Sequence, residues 1–301
     1  MRRRFAISVG IGLAALALHA LWANATPSSR QAATHLASFR WQIPEGWFGG
    51  FSGLIISEDG TNLLAVSDRG QFVQAALLRN DGQIADVTNV RRAQVLRKNG
   101  QFAPRPIGRD TEGLALMPNG TIMVSFEGQH RVERFARPGA IPRAVAWHAD
   151  FDQMPKNAGF EAIATAADGT VYAMPEAPIG AENVVQVFAL KGGTWRKAFT
   201  LNRDKQFQPV GADIGPDGRL YILERGFNGF GFRTRARSFD ISGTQASDEK
   251  LLFQKGIGRH DNLEGLSVWR DDQARIRLTM ISDDNFRLLQ RTEIVEYVIA
   301  P

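Results

Sequence analysis

The sequence contains no cysteine among its 301 residues. No disulfide can therefore stabilise the fold, and its stability must come from the burial of a hydrophobic core. The sequence also has no phosphate-cradling P-loop and no dinucleotide-binding fingerprint. It thus carries no motif for nucleotide binding.

Two sequence patterns of common hydrolases are also missing. Ser52 lies in Gly50-Phe51-Ser52-Gly53, which is not the Gly-x-Ser-x-Gly nucleophile elbow. The histidines beyond residue 25 form no His-x-x-x-His or Glu-x-x-His pair, so a zinc site of that kind is not expected. These histidines are His35, His130, His148 and His260.

Long apolar runs are confined to the N-terminus. Arg2, Arg3 and Arg4 precede a largely apolar stretch, 7–22, and Ala23-Asn24-Ala25 then fits the small-x-small cleavage rule. This pattern predicts a cleaved signal peptide over residues 1–25 and a single domain over residues 26–301. Sec export to the periplasm or medium is expected, with twin-arginine export as an option. The stretch is short for an anchor, so no stable membrane insertion is expected after cleavage.

A strong excess of basic charge is absent as well. The formal net charge of +5 includes the three arginines of the predicted signal peptide. Without them, 33 basic residues face 31 acidic residues. A chain so nearly neutral is not expected to bind nucleic acid.

A repeat organises the rest of the chain. Five times, an apolar strand runs into a turn, usually Asx-Gly, and a second apolar strand follows and ends on an acidic residue. A small residue marks the register of each unit, at Gly53, Gly113, Ala162, Gly211 and Gly265. These positions are 60, 49, 49 and 54 residues apart. A period near fifty with about four strands per unit is typical of a β-propeller blade.

The sequence therefore predicts an all-β fold, a β-propeller of five four-stranded blades, with six blades as the alternative. A β-sandwich would leave the repeated turns unexplained. The fifth unit lacks one strand, since only 293–299 remains after Asp284. Residues 35–43 can supply the missing strand, so that the N-terminal strand pairs with the C-terminal blade and closes the ring.

Carboxylates recur at fixed positions of the repeat. Glu112, Glu161 and Glu264 precede the small residue that opens a unit. The second strands end at further acidic residues, namely Asp68, Glu127, Glu176, Glu224 and Asp283 or Asp284. Antiparallel pairing brings both sets to one end of the ring, where converging oxygen ligands suit Ca²⁺. The alternative is that these carboxylates cap turns and bind backbone amides.

Basic residues accompany these carboxylates in the sequence. Arg69 follows Asp68, Arg109 precedes Glu112, and Arg225 follows Glu224. An arginine beside a carboxylate commonly forms a local ion pair. Together with a bound cation, these arginines could also bind a small anionic ester or phosphate ligand.

Several of these segments together resemble one known family. They are Ser67-Asp68-Arg69-Gly70, Asp110-Thr111-Glu112-Gly113-Leu114, Gly159-Phe160-Glu161-Ala162, Leu223-Glu224-Arg225-Gly226 and Asn262-Leu263-Glu264-Gly265-Leu266. The chain resembles, over roughly 39–298, the exported bacterial phytase-like proteins, also labelled "esterase-like activity of phytase". The resemblance implies a propeller with a loose relation to calcium-dependent phosphatases acting on inositol phosphates. True propeller phytases usually have six blades, whereas five units are visible here, and Val210 stands where sister units carry Glu.

The function predicted from these observations is Ca²⁺-assisted hydrolysis of phosphoric or carboxylic esters. The predicted catalytic residues are Glu112, Glu161, Glu264, Arg69, Arg109 and Arg225. The predicted metal ligands are Asp68, Glu112, Glu127, Glu161, Glu176, Glu224, Glu264 and Asp283. The alternative is a monomeric, non-catalytic periplasmic propeller that binds a ligand or partner, because a propeller alone does not define a function.

Overall fold

The computed structural model describes residues 31–104, 108–155, 157–179, 183–242 and 245–300. The described part forms twenty β-strands and one short 3₁₀ helix, Ala149–Gln153. The strands make five four-stranded antiparallel sheets, arranged as a five-bladed β-propeller, which confirms the predicted fold class. The predicted signal peptide, residues 1–25, lies outside the described residues. None of the described helices is long and apolar enough to cross a bilayer.

Blades 1 to 4 run from the innermost strand outward in chain order, and blade 5 does so for its first three strands. Blade 1 contains β2 (Phe51–Ile56), β3 (Asn62–Ser67), β4 (Gln71–Asn80) and β5 (Gln83–Gln94). Blade 2 contains β6 (Thr111–Leu116), β7 (Ile122–Phe126), β8 (Arg131–Phe135) and β9 (Arg143–Ala144). Blade 3 contains β10 (Phe160–Thr165), β11 (Val171–Pro175), β12 (Val184–Lys191) and β13 (Thr194–Asn202).

The last two blades follow the same pattern. Blade 4 contains β14 (Gln208–Ile214), β15 (Leu220–Phe227), β16 (Phe232–Asp240) and β17 (Ser247–Lys255). Blade 5 contains β18 (Asn262–Arg270), β19 (Ile276–Asp283), β20 (Glu293–Ile299) and, as its outermost strand, β1 (Ala33–Arg40).

The first and last strands close the ring, as the sequence predicts. β1 pairs antiparallel with β20 from Ala33 opposite Ile299 to Arg40 opposite Glu293. The sequence predicts this strand over residues 35–43. The paired segment spans residues 33–40, so it begins two residues earlier and ends three residues earlier. The backbone N–H of Trp41 adds one more bond, to the carbonyl of Thr292 at 3.1 Å. This pairing gives β20 a partner on its outer side and so removes a free edge from blade 5.

The turn between the two inner strands has the same construction in the first four blades. An Asx side chain accepts a hydrogen bond from the backbone N–H two residues on, as Asp59 does from Thr61 at 3.1 Å. The glycine after the Asx residue has a positive φ, as at Gly60, where φ is 71°. In blade 5 the equivalent position is Ala274, whose φ is 60°. An alanine there is strained, since only glycine adopts this region without steric cost.

The hydrophobic core is divided among the interfaces between blades. Each of the five core clusters of the described chain joins residues of two neighbouring blades. Leu223 of blade 4, for example, belongs to the same buried cluster as Leu266 and Leu278 of blade 5. The continuous apolar runs of the inner strands are explained by this stacking, because both faces of each sheet are covered.

Candidate functional site

The innermost strands of the five blades surround a central channel. A β-bulge in each of these strands shapes one end of this channel. In every blade the first strand has one residue more than the second strand at the same place, so the pairing register shifts there by one residue. The bulge lies directly before the small residue of the repeat and, in blade 2, also contains it. The bulged residues are Ser52, Glu112 with Gly113, Glu161, Val210 and Glu264. Bulges re-aim side chains. Here they hold three glutamates at the mouth of the channel.

Small residues beside the bulges let the innermost strands close around the axis. A Cβ atom at Gly211 would lie 2.3 Å from the carbonyl oxygen of Glu264, and one at Gly113 would lie 2.7 Å from that of Glu161. The space left at this waist is a cavity of about 10 Å³. A separate cavity of about 550 Å³ opens at the opposite end, with Leu54, Leu114 and Leu266 in its wall. The waist thus separates the acidic end of the channel from the other mouth.

The second strands bring another residue to the acidic end, at one equivalent position per blade. In each blade, this residue of the second strand faces the residue of the first strand that lies two places before the bulge. Asp68 faces Gly50, Glu127 faces Asp110, Glu176 faces Gly159, and Asp283 faces Asn262. In blade 4 the same position is occupied by Arg225, which pairs with Gln208. Four carboxylates and one arginine therefore form this set.

Glu224 does not belong to the set, because the pairing register of blade 4 differs by one residue from the predicted one. Glu224 pairs with Pro209, and a one-residue step along a strand turns a side chain to the other face of the sheet. There its two oxygens accept hydrogen bonds from Arg235 and Arg237, at 2.7–3.0 Å. Glu224 is 1% exposed. It stabilises the interior of blade 4 and does not reach the other predicted ligands.

We call the carboxylates at this end the acidic ring, comprising Asp68, Asp110, Glu112, Glu127, Glu161, Glu176, Glu264 and Asp283. One half of the ring surrounds Arg225, which offsets part of its negative charge. Its guanidinium contacts Glu264, lies 2.9 Å from Glu176 and lies 3.8 Å from Glu161. Burial alone would lower the pKa of Arg225, but these carboxylates raise it. Arg225, which the sequence predicts to bind an anionic ligand, thus donates its hydrogen bonds to the protein's own carboxylates.

Asn262 connects this half of the ring to blade 5. Its side-chain amide donates to Glu264 at 2.8 Å and to Asp283 at 3.3 Å, and its oxygen accepts from Arg225 at 3.2 Å. Asn262 is 1% exposed, so these contacts have little competition from water. Burial and the neighbouring Glu264 raise the pKa of Asp283 to about 8. The carboxyl group of Asp283, the ring residue at the end of β19, therefore keeps its proton near neutral pH.

The other half of the ring contains Asp68, Asp110, Glu112 and Glu127, none of which makes an ion pair in the described part of the chain. Asp110, Glu112 and Glu127 each offer an oxygen atom, and these three atoms lie within 4.8 Å of one another. Oδ1 of Asp68 is buried and has no hydrogen-bond partner among the described residues. This half therefore has no cation in the described chain to offset the charge of its carboxylates.

The pKa values of this half express that repulsion. Burial raises the pKa of Glu112 well above its usual value, and the nearby Glu161, Glu264, Asp110 and Glu127 raise it further. Burial raises the pKa of Asp68 to about 7, with Asp283 and Asp110 adding to the effect. Burial and Asp110 likewise raise the pKa of Glu127 to about 7. Without a cation, these groups hold protons near neutral pH.

The two remaining predicted arginines lie beside this half of the ring. Arg69 is exposed, stacks on Phe286 with 3.0 Å between its guanidinium carbon and the ring centroid, and donates to the carbonyl of Gly46. Arg109 is half-buried and stacks on Phe102 at 5.0 Å. Neither makes an ion pair with a described residue. Both therefore keep a charge available at the rim of the site.

The structure also brings residues to the ring that the sequence pattern does not single out. Asp110 belongs to the possible metal-binding group, and Asn262 links two ring residues, Glu264 and Asp283, to Arg225. A signal for both exists in the repeat, because each lies two places before the bulge, directly opposite an acidic strand end. Asp284, the neighbour of Asp283 at the end of β19, instead accepts bonds from the N–H groups of Gly50 and Phe286 at 3.1 Å.

Comparison with solved structures shows the fold alone. The PQQ-bound aldose sugar dehydrogenase of Streptomyces coelicolor matches with a TM-score of 0.51 and 13% identity, over 91% of this chain and 99% of that chain. A gluconolactonase of Xanthomonas campestris matches with a TM-score of 0.44 and 14% identity, over 82% and 72%. A virginiamycin B lyase of Staphylococcus aureus matches with a TM-score of 0.43 and 12% identity, over 88% and 99%. No curated protein matches the sequence.

The comparison with protein families agrees with the resemblance found in the sequence motifs. The matched region, residues 46–286, begins before the first blade and ends after the last acidic strand end of the ring. It therefore includes every residue of the acidic ring together with Arg69, Arg109 and Arg225. The chain belongs to the phytase-like family described as "esterase-like activity of phytase".

Proposed function

We propose that this protein is an exported hydrolase of phosphoric or carboxylic esters, assisted by Ca²⁺ held in the acidic ring. The uneven charge of the ring carries the proposal. Arg225 forms ion pairs with the half formed by Glu161, Glu176 and Glu264, whereas the opposite half has no cation paired with it in the described chain. Such a group of converging carboxylates requires protons or a metal ion.

The donor chemistry fits Ca²⁺. Asp110, Glu112 and Glu127 supply carboxylate oxygens within reach of one another, and the unpartnered Oδ1 of Asp68 adds a fourth. Oxygen-only sites of this kind suit hard cations such as Ca²⁺. Burial leaves these carboxylates poorly solvated, so a cation that replaces their protons is favoured. We infer that these four residues, rather than the whole predicted set, would hold the ion.

The ion would supply Lewis-acid polarisation of the ester group and a more acidic water. The chain's own residues do the rest. Arg69 and Arg109 bind and orient the anionic group of the substrate at the rim, and they stabilise the negative charge that develops on it.

Export is part of the proposal and is supported by the N-terminal sequence. A basic start, an apolar stretch and Ala23-Asn24-Ala25 form the usual order of a signal peptide. A chain without cysteine is compatible with folding outside the cytoplasm, because no thiol can mispair there. N-terminal sequencing of the protein recovered from the periplasm tests this step, and a chain that begins at Met1 would contradict it.

A non-catalytic propeller that binds an anionic ligand is the second candidate. Ser52, the hydroxyl residue among the bulged positions, is 3% exposed and so is poorly placed for nucleophilic attack. None of the described histidines forms a hydrogen bond with a ring residue. A ligand held by Ca²⁺ and the two arginines, with no turnover, would suit this function.

Turnover of two simple esters separates the candidates. We expect the protein to hydrolyse 4-nitrophenyl phosphate or 4-nitrophenyl acetate in the presence of Ca²⁺, and chelation with EGTA should abolish the reaction. Glu112→Gln should lose activity, whereas Glu58→Gln, an exposed residue in the turn at the other end of blade 1, should retain it. Activity that is unchanged by EGTA would overturn the calcium proposal. Calcium binding without turnover of either ester would favour the binding candidate.

A further inference from the structure

Three neighbouring loops expose large apolar side chains. Phe227, the last residue of β15, and Phe230, in the turn between β15 and β16, are 59% and 93% exposed. Ile257, between β17 and β18, is 47% exposed. Leu288 and Leu289, between β19 and β20, are 104% and 97% exposed. We call these five residues the apolar crest. Phe227 also contacts the ring of Phe232, with 5.0 Å between the centroids, whereas Phe230, Leu288 and Leu289 are almost fully exposed.

The three loops of the crest contact one another and lie at the same end of the propeller as the acidic ring. All three loops follow or precede strand ends at that end. A Cβ atom at Gly231 would lie 2.5 Å from Ile257, so the first two loops are in contact. Asp261 joins the second and third loops, because its oxygens accept from the N–H of Arg291 at 2.9 Å and from Gln290 at 3.3 Å. Clustered apolar side chains exposed at one end of a protein usually mark an interaction surface.

Unpaired cations accompany the crest. Arg259 lies two residues after Ile257, and Arg287 directly precedes Leu288. Both are exposed, and neither makes an ion pair with a described residue. The carboxylates of the nearby acidic ring, in contrast, are buried or half-buried. A surface that meets the crest therefore meets apolar tips and positive charge first.

We propose that the apolar crest binds the surface of an anionic phospholipid membrane. Phenylalanine and leucine side chains on loop tips can enter the boundary between headgroups and acyl chains, while arginines beside them attract lipid phosphates. The apolar tips project singly from three separate loops. A fluid lipid surface can adapt to such tips, whereas a protein partner requires a complementary face. Membrane binding is independent of the hydrolase proposal, since it uses none of the ring residues.

Vesicle co-sedimentation tests the proposal with the full chain. The probes are vesicles of pure phosphatidylcholine and vesicles of equal parts phosphatidylcholine and phosphatidylglycerol. We expect binding to the anionic vesicles, reduced at least tenfold by the double variant Leu288→Ser/Leu289→Ser and by Phe230→Ser. Arg259→Ser and Arg287→Ser should each weaken binding to the anionic vesicles roughly fivefold. Leu78→Ser, at a half-exposed leucine of β4 outside the crest, should bind like the parent.

The controls separate binding by the crest from binding by any other part of the chain. Every variant carries the same residues 1–31, so binding by the apolar N-terminal segment would be equal in all of them. Thermal unfolding of each variant confirms that it is folded. No binding to anionic vesicles, or equal binding by the crest variants, would overturn the proposal. Self-association that is lost with Leu288→Ser/Leu289→Ser would also overturn it, because the crest would then bind a second copy of the chain.

Discussion

The stability of the metal-free protein should fall as the pH rises from 6.5 to 8.5. Burial raises the pKa of Asp68 and Glu127 from about 4 to about 7, and that of Asp283 to about 8. The folded state therefore binds protons more tightly than the unfolded state. The resulting stabilisation is complete below about pH 4 and is lost as the pH rises through 7 and 8.

The pH window is chosen to minimise the contribution of the histidines. Burial lowers the pKa of His260 to about 4, so this residue contributes stability above pH 6.5 that is lost as the pH falls through 4. The pKa of His35 is also lowered, mainly by burial. Above pH 6.5, each of these residues adds only about 0.4 kcal/mol, and with the opposite sign. A loss of stability in this window therefore reports the carboxylates.

The size of the effect follows from the linkage relation. One pKa unit corresponds to about 1.4 kcal/mol, so Asp283 alone should lose roughly 2 kcal/mol between pH 6.5 and 8.5. Asp68 and Glu127 complete most of their loss near pH 7, and the ring residues titrate together rather than independently. A total of about 3 kcal/mol is expected, which should lower Tm by roughly 6–12 °C in a domain of this size.

Calcium should reverse this dependence, because it replaces the protons. At a hundredfold excess over Kd, it adds about 2.7 kcal/mol to the free energy of unfolding. The assay is thermal unfolding at pH 6.5, 7.5 and 8.5, in EGTA and in Ca²⁺. The increment from Ca²⁺ should grow with pH, and Glu112→Gln should abolish it while Glu58→Gln leaves it unchanged. A metal-free Tm that rises across this window would show that the ring carboxylates are not protonated in the folded state.

Three further predictions concern the fold. Deletion of residues 31–40 removes β1 and leaves β20 as a free edge, so aggregation is expected, and a soluble, cooperatively unfolding product would contradict the closure. Ala274→Gly should raise the free energy of unfolding by up to about 1 kcal/mol in urea denaturation, since φ is 60° there, and an unchanged or lower value would contradict the strain. Glu224→Gln should cost about 3–5 kcal/mol in the same assay, because Arg235 and Arg237 lose a buried carboxylate, and a near-neutral effect would contradict that role.

The blade number and the closure could be predicted because their signals are local. The Asx-Gly turns and the continuous apolar strands repeat with a nearly constant period, and the missing strand of the fifth unit is visible in the chain length after Asp284. The same repeat locates Glu112, Glu161 and Glu264, which all lie at bulges. Sequence periodicity is sufficient where each unit repeats the same backbone.

Glu224 shows where periodicity fails. Both Glu224 and Arg225 fit the end of the second strand, and the pattern favours the acidic residue because its sister units carry acids there. The pairing register decides between them, since it places Arg225 at the ring and turns Glu224 into blade 4. The division of the ring into two halves depends on that one-residue difference.

Asp110 and the apolar crest escape sequence analysis for a different reason. Asp110 lies outside the apolar strand pattern, and its place in the repeat becomes a signal only once the bulge and the pairing with Glu127 are known. The crest combines loops from blades 4 and 5 that are distant in sequence. Exposure of Phe230 or Leu288 is a property of the folded chain, and composition alone cannot distinguish it from core packing.

Calorimetric titration of Ca²⁺ into the metal-free protein at pH 7 is the sharpest test of the calcium site. We expect saturable binding with proton release, seen as a binding enthalpy that changes with the ionisation enthalpy of the buffer, because Asp68, Glu112 and Glu127 must give up protons. Glu112→Gln should lose this binding, while Glu176→Gln, in the half that surrounds Arg225, should retain it. No binding by the parent, or equal binding by Glu112→Gln, would contradict a calcium site in the acidic ring.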